Sequence, residues 1–229
     1  MSKKKIVALG DSITKGVIFT QEREDRFNYS VCDSSFISQI ANQLDAEEIN
    51  LGKMGCTVVA GEQILDRNVA RIAGSEYAFI CFGGNDSDYN WQEIATDNTK
   101  THKPKTSIEI FRETYIRIIE KLRAIDITPI ILSLPPINAQ RYFDFFTNKL
   151  SCEQSKNIIE WLNGSIHTIT AGHKLYNETI KSIANNTQTR IIDITEFLEN
   201  RQDWLCMDGI HPNSVAHRKI AEHICTSLC

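Results

Sequence analysis

The chain has 229 residues, and 25 Lys+Arg against 29 Asp+Glu give a formal net charge of −4. That balance argues against a protein that lives on nucleic-acid phosphates, which needs clustered excess positive charge. A 41% hydrophobic fraction excludes wholesale disorder, and a chain of this length buries about 70% of its unfolded surface around one sizeable core.

The basic start Met1-Ser2-Lys3-Lys4-Lys5 runs into Ile6-Val7-Ala8-Leu9, which reads with Lys5 as a first buried strand ending at Gly10. Ser35 to Leu44 carries Phe36, Ile37, Ile40, Ala41 and Leu44 at helical spacing. A short strand, Glu48 to Leu51, runs into Gly52 and Gly55, and a helix follows from Gly61 to Ala73. Tyr77 to Phe82 is the clearest buried strand, stopped by Gly83-Gly84. Ser107 to Ile125 is a long amphipathic helix, and Thr128 to Leu134 a fourth strand closed by Pro135-Pro136. Helices are expected over roughly Cys152–Leu162 and Ile166–Ala184, a fifth strand over Arg190–Ile194, and a last helix from near Pro212.

Short apolar strands separated by helices predict right-handed βαβ crossovers and a parallel sheet covered on both faces. With no linker, repeat or low-complexity tract, residues 1–229 are expected to form one domain. Two connections, about Asn85–Thr106 and Pro135–Leu150, are long enough to be functional loops. Their aromatic residues (Tyr89, Trp91, Tyr142, Phe143, Phe145, Phe146) fit an acyl pocket or lid, or equally core packing or a dimer contact. The apolar run after the basic start is too short for a secretory h-region, and no stretch approaches the roughly 18 apolar residues of a membrane span. The seven cysteines are scattered with no C-x-x-C pair, as expected of reduced thiols in a cytoplasm.

In an open parallel sheet ligands bind beyond the carboxyl ends of the strands. Four polar clusters fall on that edge: Gly10-Asp11-Ser12, Asn50 to Thr57, Gly83-Gly84-Asn85-Asp86, and Asp208-Gly209-Ile210-His211-Pro212. Each alone is ordinary turn chemistry. In this order they resemble the four blocks of the SGNH (GDSL-type) hydrolase superfamily, over nearly the whole chain.

The resemblance implies a three-layer α/β/α, flavodoxin-like fold with a central five-stranded parallel sheet. It implies a serine esterase or acylhydrolase with Ser12 as nucleophile, His211 as base and Asp208 as the acid behind it. The implied oxyanion donors are the Ser12 N–H, a glycine N–H and the Asn85 amide. Gly52 and Gly55 both lie in the right turn; Gly55 is favoured because Asn50 and Thr57 flank it as in the family's second block. The first block reads Gly-Asp-Ser-Ile where the family has Leu, a change of similar volume.

The chemistry fits. A serine hydroxyl needs a neighbouring base, and Ser12 at a strand-to-helix junction sits at the positive end of a helix. Pro212 steers His211 toward an extended backbone and is expected to be the first helical residue. Asp208 can fold back across Gly209 to the other ring nitrogen, and Asp11 is expected to orient its loop rather than react. No cofactor is implied; the expected partner is a small ester substrate, a short acyl group on a soluble metabolite or sugar, with no nucleic acid or membrane. Metal-assisted phosphoester hydrolysis through Asp11, Asn85, Asp208 and His211 is the alternative, though no early D-x-H follows the first strand. A phosphate loop is excluded because Lys15 precedes Gly16, and a binding-only member of the superfamily is disfavoured by the competent residue at every catalytic position. The other histidines lack metal spacing and are expected on the surface or on helix faces, and Cys225 and Cys229 on one face of the last helix.

Overall fold

The computed structural model describes residues 3–23 and 26–228. Its strands are β1 (Lys4–Gly10), β2 (Val17–Arg23), β3 (Arg26–Val31), β4 (Ala46–Asn50), β5 (Tyr77–Cys81), β6 (Thr128–Leu132) and β7 (Arg190–Ile192). The helices are α1 (Ser12–Lys15), α2 (Phe36–Gln43), α3 (Val58–Ile72), α4 (Trp91–Thr96), α5 (Ile108–Arg123), α6 (Ala139–Thr147), α7 (Cys152–Trp161), α8 (His167–Asn186), α9 (Ile194–Leu198) and α10 (Ser214–Leu228). Five strands form one parallel sheet in the order β4-β1-β5-β6-β7, with Val7 opposite both Ile49 and Ala78. The chain leaves β1 for β4 on one side and returns to β5 on the other, so the topological switch lies at the carboxyl end of β1, where a ligand crevice opens. α2 packs with α10, and α3 and α8 pack against α5, covering the sheet as expected of an α/β/α sandwich. The core is continuous through the sheet, from Ile6, Leu9 and Phe79 to Tyr115, Ile131 and Ile220.

Polar residues set the helix boundaries. Ser35 and Ser107 cap α2 and α5 by accepting from Ser38 N and Ile110 N, and Ser151 with Gln154 closes a capping box on α7. The fifth strand stops at Ile192, short of the expected Ile194, because Asp193 accepts from Thr195 N and Glu196 N and starts α9.

Three features depart from the sequence reading. Residues 17–23 and 26–31 pair as an antiparallel hairpin, β2–β3, where no element was expected. Their polar run lacks the alternation and the Asn-Gly-type turn that advertise a hairpin. The two long connections contain α4 and α6, whose aromatic residues join α7 in a second hydrophobic cluster built on Trp91, Ile94, Ile158 and Leu162. Pro212 is not the first residue of the last helix. It bridges to Leu205, and Asn213 caps α10 by accepting from Ala216 N at 3.0 Å. Of the cysteines read as one face of this helix, Cys225 lies on α10 and Cys229 lies outside the described residues.

Candidate active site

β1 ends at Gly10, and Asp11 turns the chain by accepting from Ile13 N at 2.9 Å, which makes Ser12 the first residue of α1. The Ser12 hydroxyl lies 2.8 Å from His211 Nε2, and His211 Nδ1 lies 2.6 Å from Asp208 Oδ2. A carboxylate only accepts, so Nδ1 carries the proton and Nε2 is left to accept from the serine. Asp208 is itself immobilised: Oδ1 accepts from Ile210 N and His211 N, and the side chain is fully buried. The turn is anchored at His211 by Cys206 N donating to its carbonyl at 2.8 Å. The residues expected as acid, base and nucleophile are thus brought into one hydrogen-bonded chain.

Gly209 sits inside this loop with φ +75°, and a Cβ there would lie 2.7 Å from Asn138 O and from Arg141 Cβ of α6. Gly209→Ala is therefore expected to lower stability by about 1–3 kcal/mol, read as a lowered thermal midpoint with the overall helix content kept.

The two candidate glycines have different surroundings. Gly52 donates to Asn50 Oδ1, Asn50 Nδ2 donates to Thr14 O, and a Cβ on Gly52 would lie 2.5 Å from Lys15 N. It is pressed against α1. Gly55 has φ +69°, nothing within 4 Å of a Cβ position, and lines the same cavity as Ser12 and Asn85. Among the described residues neither the Ser12 nor the Gly55 N–H donates a hydrogen bond. Asn85 Nδ2 donates one hydrogen to Asp11 Oδ2 at 3.1 Å, leaving its second free. Asp11 is almost fully buried, and burial raises its carboxyl above the usual range. The expectation that it orients rather than reacts fits these bonds.

Asp86, part of the polar cluster after β5 but given no role from sequence, joins two of these turns. Thr57 begins α3 without a side-chain cap; Asp86 supplies it from the loop after β5, accepting from Val58 N at 3.0 Å. It is fully buried, and burial lifts its carboxyl to about 6.

The cavity beside Ser12 measures about 290 Å³. Its outer wall is aromatic, with Trp91 stacked on Phe146 at 4.6 Å. Asp88 pins the wall together, accepting from Trp91 Nε1 and Tyr142 OH with Oδ1 and pairing with Lys105 through Oδ2. The hairpin leans over the relay and meets α6: Tyr29 lies 5.4 Å edge-on from the His211 ring, Phe19 and Tyr29 both pack on Phe145, and Phe19 N donates to Cys206 Sγ. The loop aromatics therefore both pack together and line the pocket. Asp88, Tyr29 and His173 are site neighbours that sequence reasoning missed, since each gains its place through contacts distant along the chain.

Two of the other histidines lie on helix faces, one of the places expected for them. His217 is fully buried, with Nδ1 accepting from Phe36 N, while His173 lines the cavity. Cys56 is buried beside Gly55, and burial pushes its thiol up to about 11, which keeps it from acting as a nucleophile. Among the described residues no three His, Cys, Asp or Glu side chains converge as a metal-ligand set, and no helix is long and apolar enough to cross a membrane.

Residues 8–219 match the GDSL-like Lipase/Acylhydrolase family. Among solved structures the chain is similar to a lipase/acylhydrolase from Enterococcus faecalis, at 17% identity over 98% of this chain and 95% of that one, with a TM-score of 0.67. It is also similar to a carbohydrate acetylesterase from Sinorhizobium meliloti, at 14% identity over 99% and 98% of the two chains, TM-score 0.65. An acetyl xylan esterase aligns at 18% identity over 98% of this chain and all (100%) of that one, TM-score 0.63. At these identities the likeness is one of fold. No curated protein sequence matches the chain.

Proposed function

This chain belongs to the GDSL-like lipase/acylhydrolase family, and on that premise we propose that it is a serine esterase working through an acyl-enzyme. The observation that carries the reading is the continuous relay from the Ser12 hydroxyl through His211 to Asp208, at 2.8 Å and 2.6 Å. In the first half-reaction Ser12 Oγ attacks the ester carbonyl while His211 Nε2 takes its proton. The imidazolium, stabilised by Asp208, then gives that proton to the departing alcohol oxygen. In the second half-reaction water attacks the acyl-enzyme, with His211 again as base, and the acid is released. The Ser12 and Gly55 N–H groups and the free hydrogen of Asn85 Nδ2 are the proposed donors to the oxyanion; Gly55 is preferred to Gly52 because only it borders the cavity. As proposed, the steps draw on this chain's side chains and water alone.

The substrate we propose is a carboxylic ester with a short acyl group on a small soluble alcohol or sugar. The aromatic wall and a cavity of about 290 Å³ suit a compact acyl group better than a long lipid chain. Two neighbours in fold are carbohydrate esterases, which is consistent with a sugar as the alcohol. Metal-assisted phosphoester cleavage is disfavoured because both ring nitrogens of His211 are engaged within the relay and Asp11 is committed to Ile13 and Asn85.

A fluorophosphonate probe is expected to add once, at Ser12, as read by peptide mass spectrometry, and hydrolysis of a short p-nitrophenyl ester should cease in step with labelling. Labelling that persists in Ser12→Ala, or hydrolysis indifferent to the probe but abolished by a chelator, rejects the reading.

A further inference from the structure

α8 contributes Ile169 and His173, one helical turn apart, to the wall of the cavity, and its next turns enter the core through Tyr176 and Ile180. His173 is partly buried, and among the described residues its imidazole has no hydrogen-bond partner. Burial lowers its pKa to about 4, so the ring is neutral and offers one donor and one acceptor. Two other polar side chains of that wall are engaged: Asp88 with Trp91, Tyr142 and Lys105, and Ser87 Oγ with Gly84 O. A Phe or Leu would fill this place without the cost of desolvating an imidazole.

The mechanism sets which part of the ester reaches His173. The departing oxygen must stand within reach of His211 Nε2, which protonates it. His211 lies on the flank covered by the hairpin, against Tyr29. An acyl group on the other side of the reacting carbon would run past Asn85 beyond β5 and Leu134 beyond β6, both of which line the cavity. β1 and β6 are two strand spacings apart, about 10 Å, and α8 completes the slot.

We propose that this slot holds the acyl group and that His173, at its far end, is a specificity-determining residue that selects acyl groups bearing an uncharged hydroxyl there, with hydroxyaryl acids the best-fitting class. The proposal rests on the esterase reading above. A hydroxyl donates and accepts, matching a neutral imidazole, and a flat ring suits a wall built from Trp91, Tyr142 and Phe146. A carboxylate at that end would face Asp88, which lines the same wall. A plain ring would leave both imidazole nitrogens unpaired, the situation in which a polar site discriminates most strongly.

The test is a matched pair of ethyl esters, para-hydroxybenzoate and benzoate, with each kcat/KM divided by the rate of hydroxide-catalysed hydrolysis to remove the ring's electronic effect. The wild-type enzyme is expected to favour the hydroxylated ester by about tenfold or more. His173→Phe should erase that preference, the loss with the hydroxylated ester appearing mainly in KM. His173→Gln, which keeps a donor and an acceptor, should restore part of it and stands in if the Phe variant does not fold. No preference in the wild type, or a preference that survives in both variants, overturns the proposal. If p-nitrophenyl acetate is still cleaved in a Ser12-dependent manner, only the role of His173 has failed; if no ester is cleaved through Ser12, the esterase reading itself has failed.

Discussion

Ser12→Ala and His211→Ala are each expected to lower kcat/KM for a short ester by about 10⁴–10⁶-fold, and the double variant by no more than the worse single one. The expectation follows from their single hydrogen-bonded relay: a hydroxyl without its base, or a base without its hydroxyl, performs the same incomplete reaction. Residues that act as one unit are not additive, so the double variant measures whether they do. Losses that multiply would mean that Ser12 and His211 act separately, and a Ser12→Ala variant of normal activity would remove the nucleophile from the mechanism. Both side chains are buried at the crevice end of the sheet, and His211→Ala leaves Asp208 without its ring partner, so the thermal midpoint of each variant is measured beside its rate to separate lost chemistry from lost folding.

Asn85→Ala is expected to lower kcat by about 10²–10³-fold with little change in KM, because a donor aimed at the oxyanion acts in the transition state and hardly in the ground state. Asp11→Asn sharpens this prediction. The Asp11 carboxylate can only accept, so its 3.1 Å bond obliges Asn85 to turn its NH₂ toward Asp11 and fixes which way the carboxamide lies. An Asn at position 11 still caps α1 at Ile13, as Asn caps well, but it can donate as well as accept. The Asn85 amide is then free to flip and present its carbonyl where a donor is needed. About a tenfold fall in kcat is expected, with the folded stability nearly unchanged. Equal activity of wild type and Asp11→Asn would show that the orientation of Asn85 does not depend on this bond.

Much of the candidate site was legible because its geometry is imposed over a few residues. Gly10-Asp11-Ser12 is a strand end followed by a helix cap, and Asp208-Gly-Ile-His211 is a turn in which the carboxylate holds both the backbone and the ring of His211. The strands were legible because burial on both faces leaves nearly unbroken apolar runs such as Ile6 to Leu9 and Ala78 to Phe82. The choice between Gly52 and Gly55 could not be read from spacing, since both satisfy the same turn; what separates them is that one backbone is pressed on α1 and the other is open to the cavity. The hairpin was illegible because residues 17–31 carry no clean two-residue alternation, and its place depends on contacts such as Phe19 with Cys206.

Local chemistry in the chain thus dictated the alternation of elements, the parallel sheet and the identity of the four polar turns at its edge, because these depend on short-range periodicity, caps and turns. The bonds that connect those turns belong to the folded state. Asp86 capping a helix 28 residues away, Asp88 tying Trp91 to Tyr142, and His173 arriving from α8 are all pairings between segments far apart in the chain. No local pattern encodes such pairings. A side chain's partner across the molecule is set by how helices and strands pack, and one polar residue in a loop or on a helix face has many partners it could meet until that packing is complete.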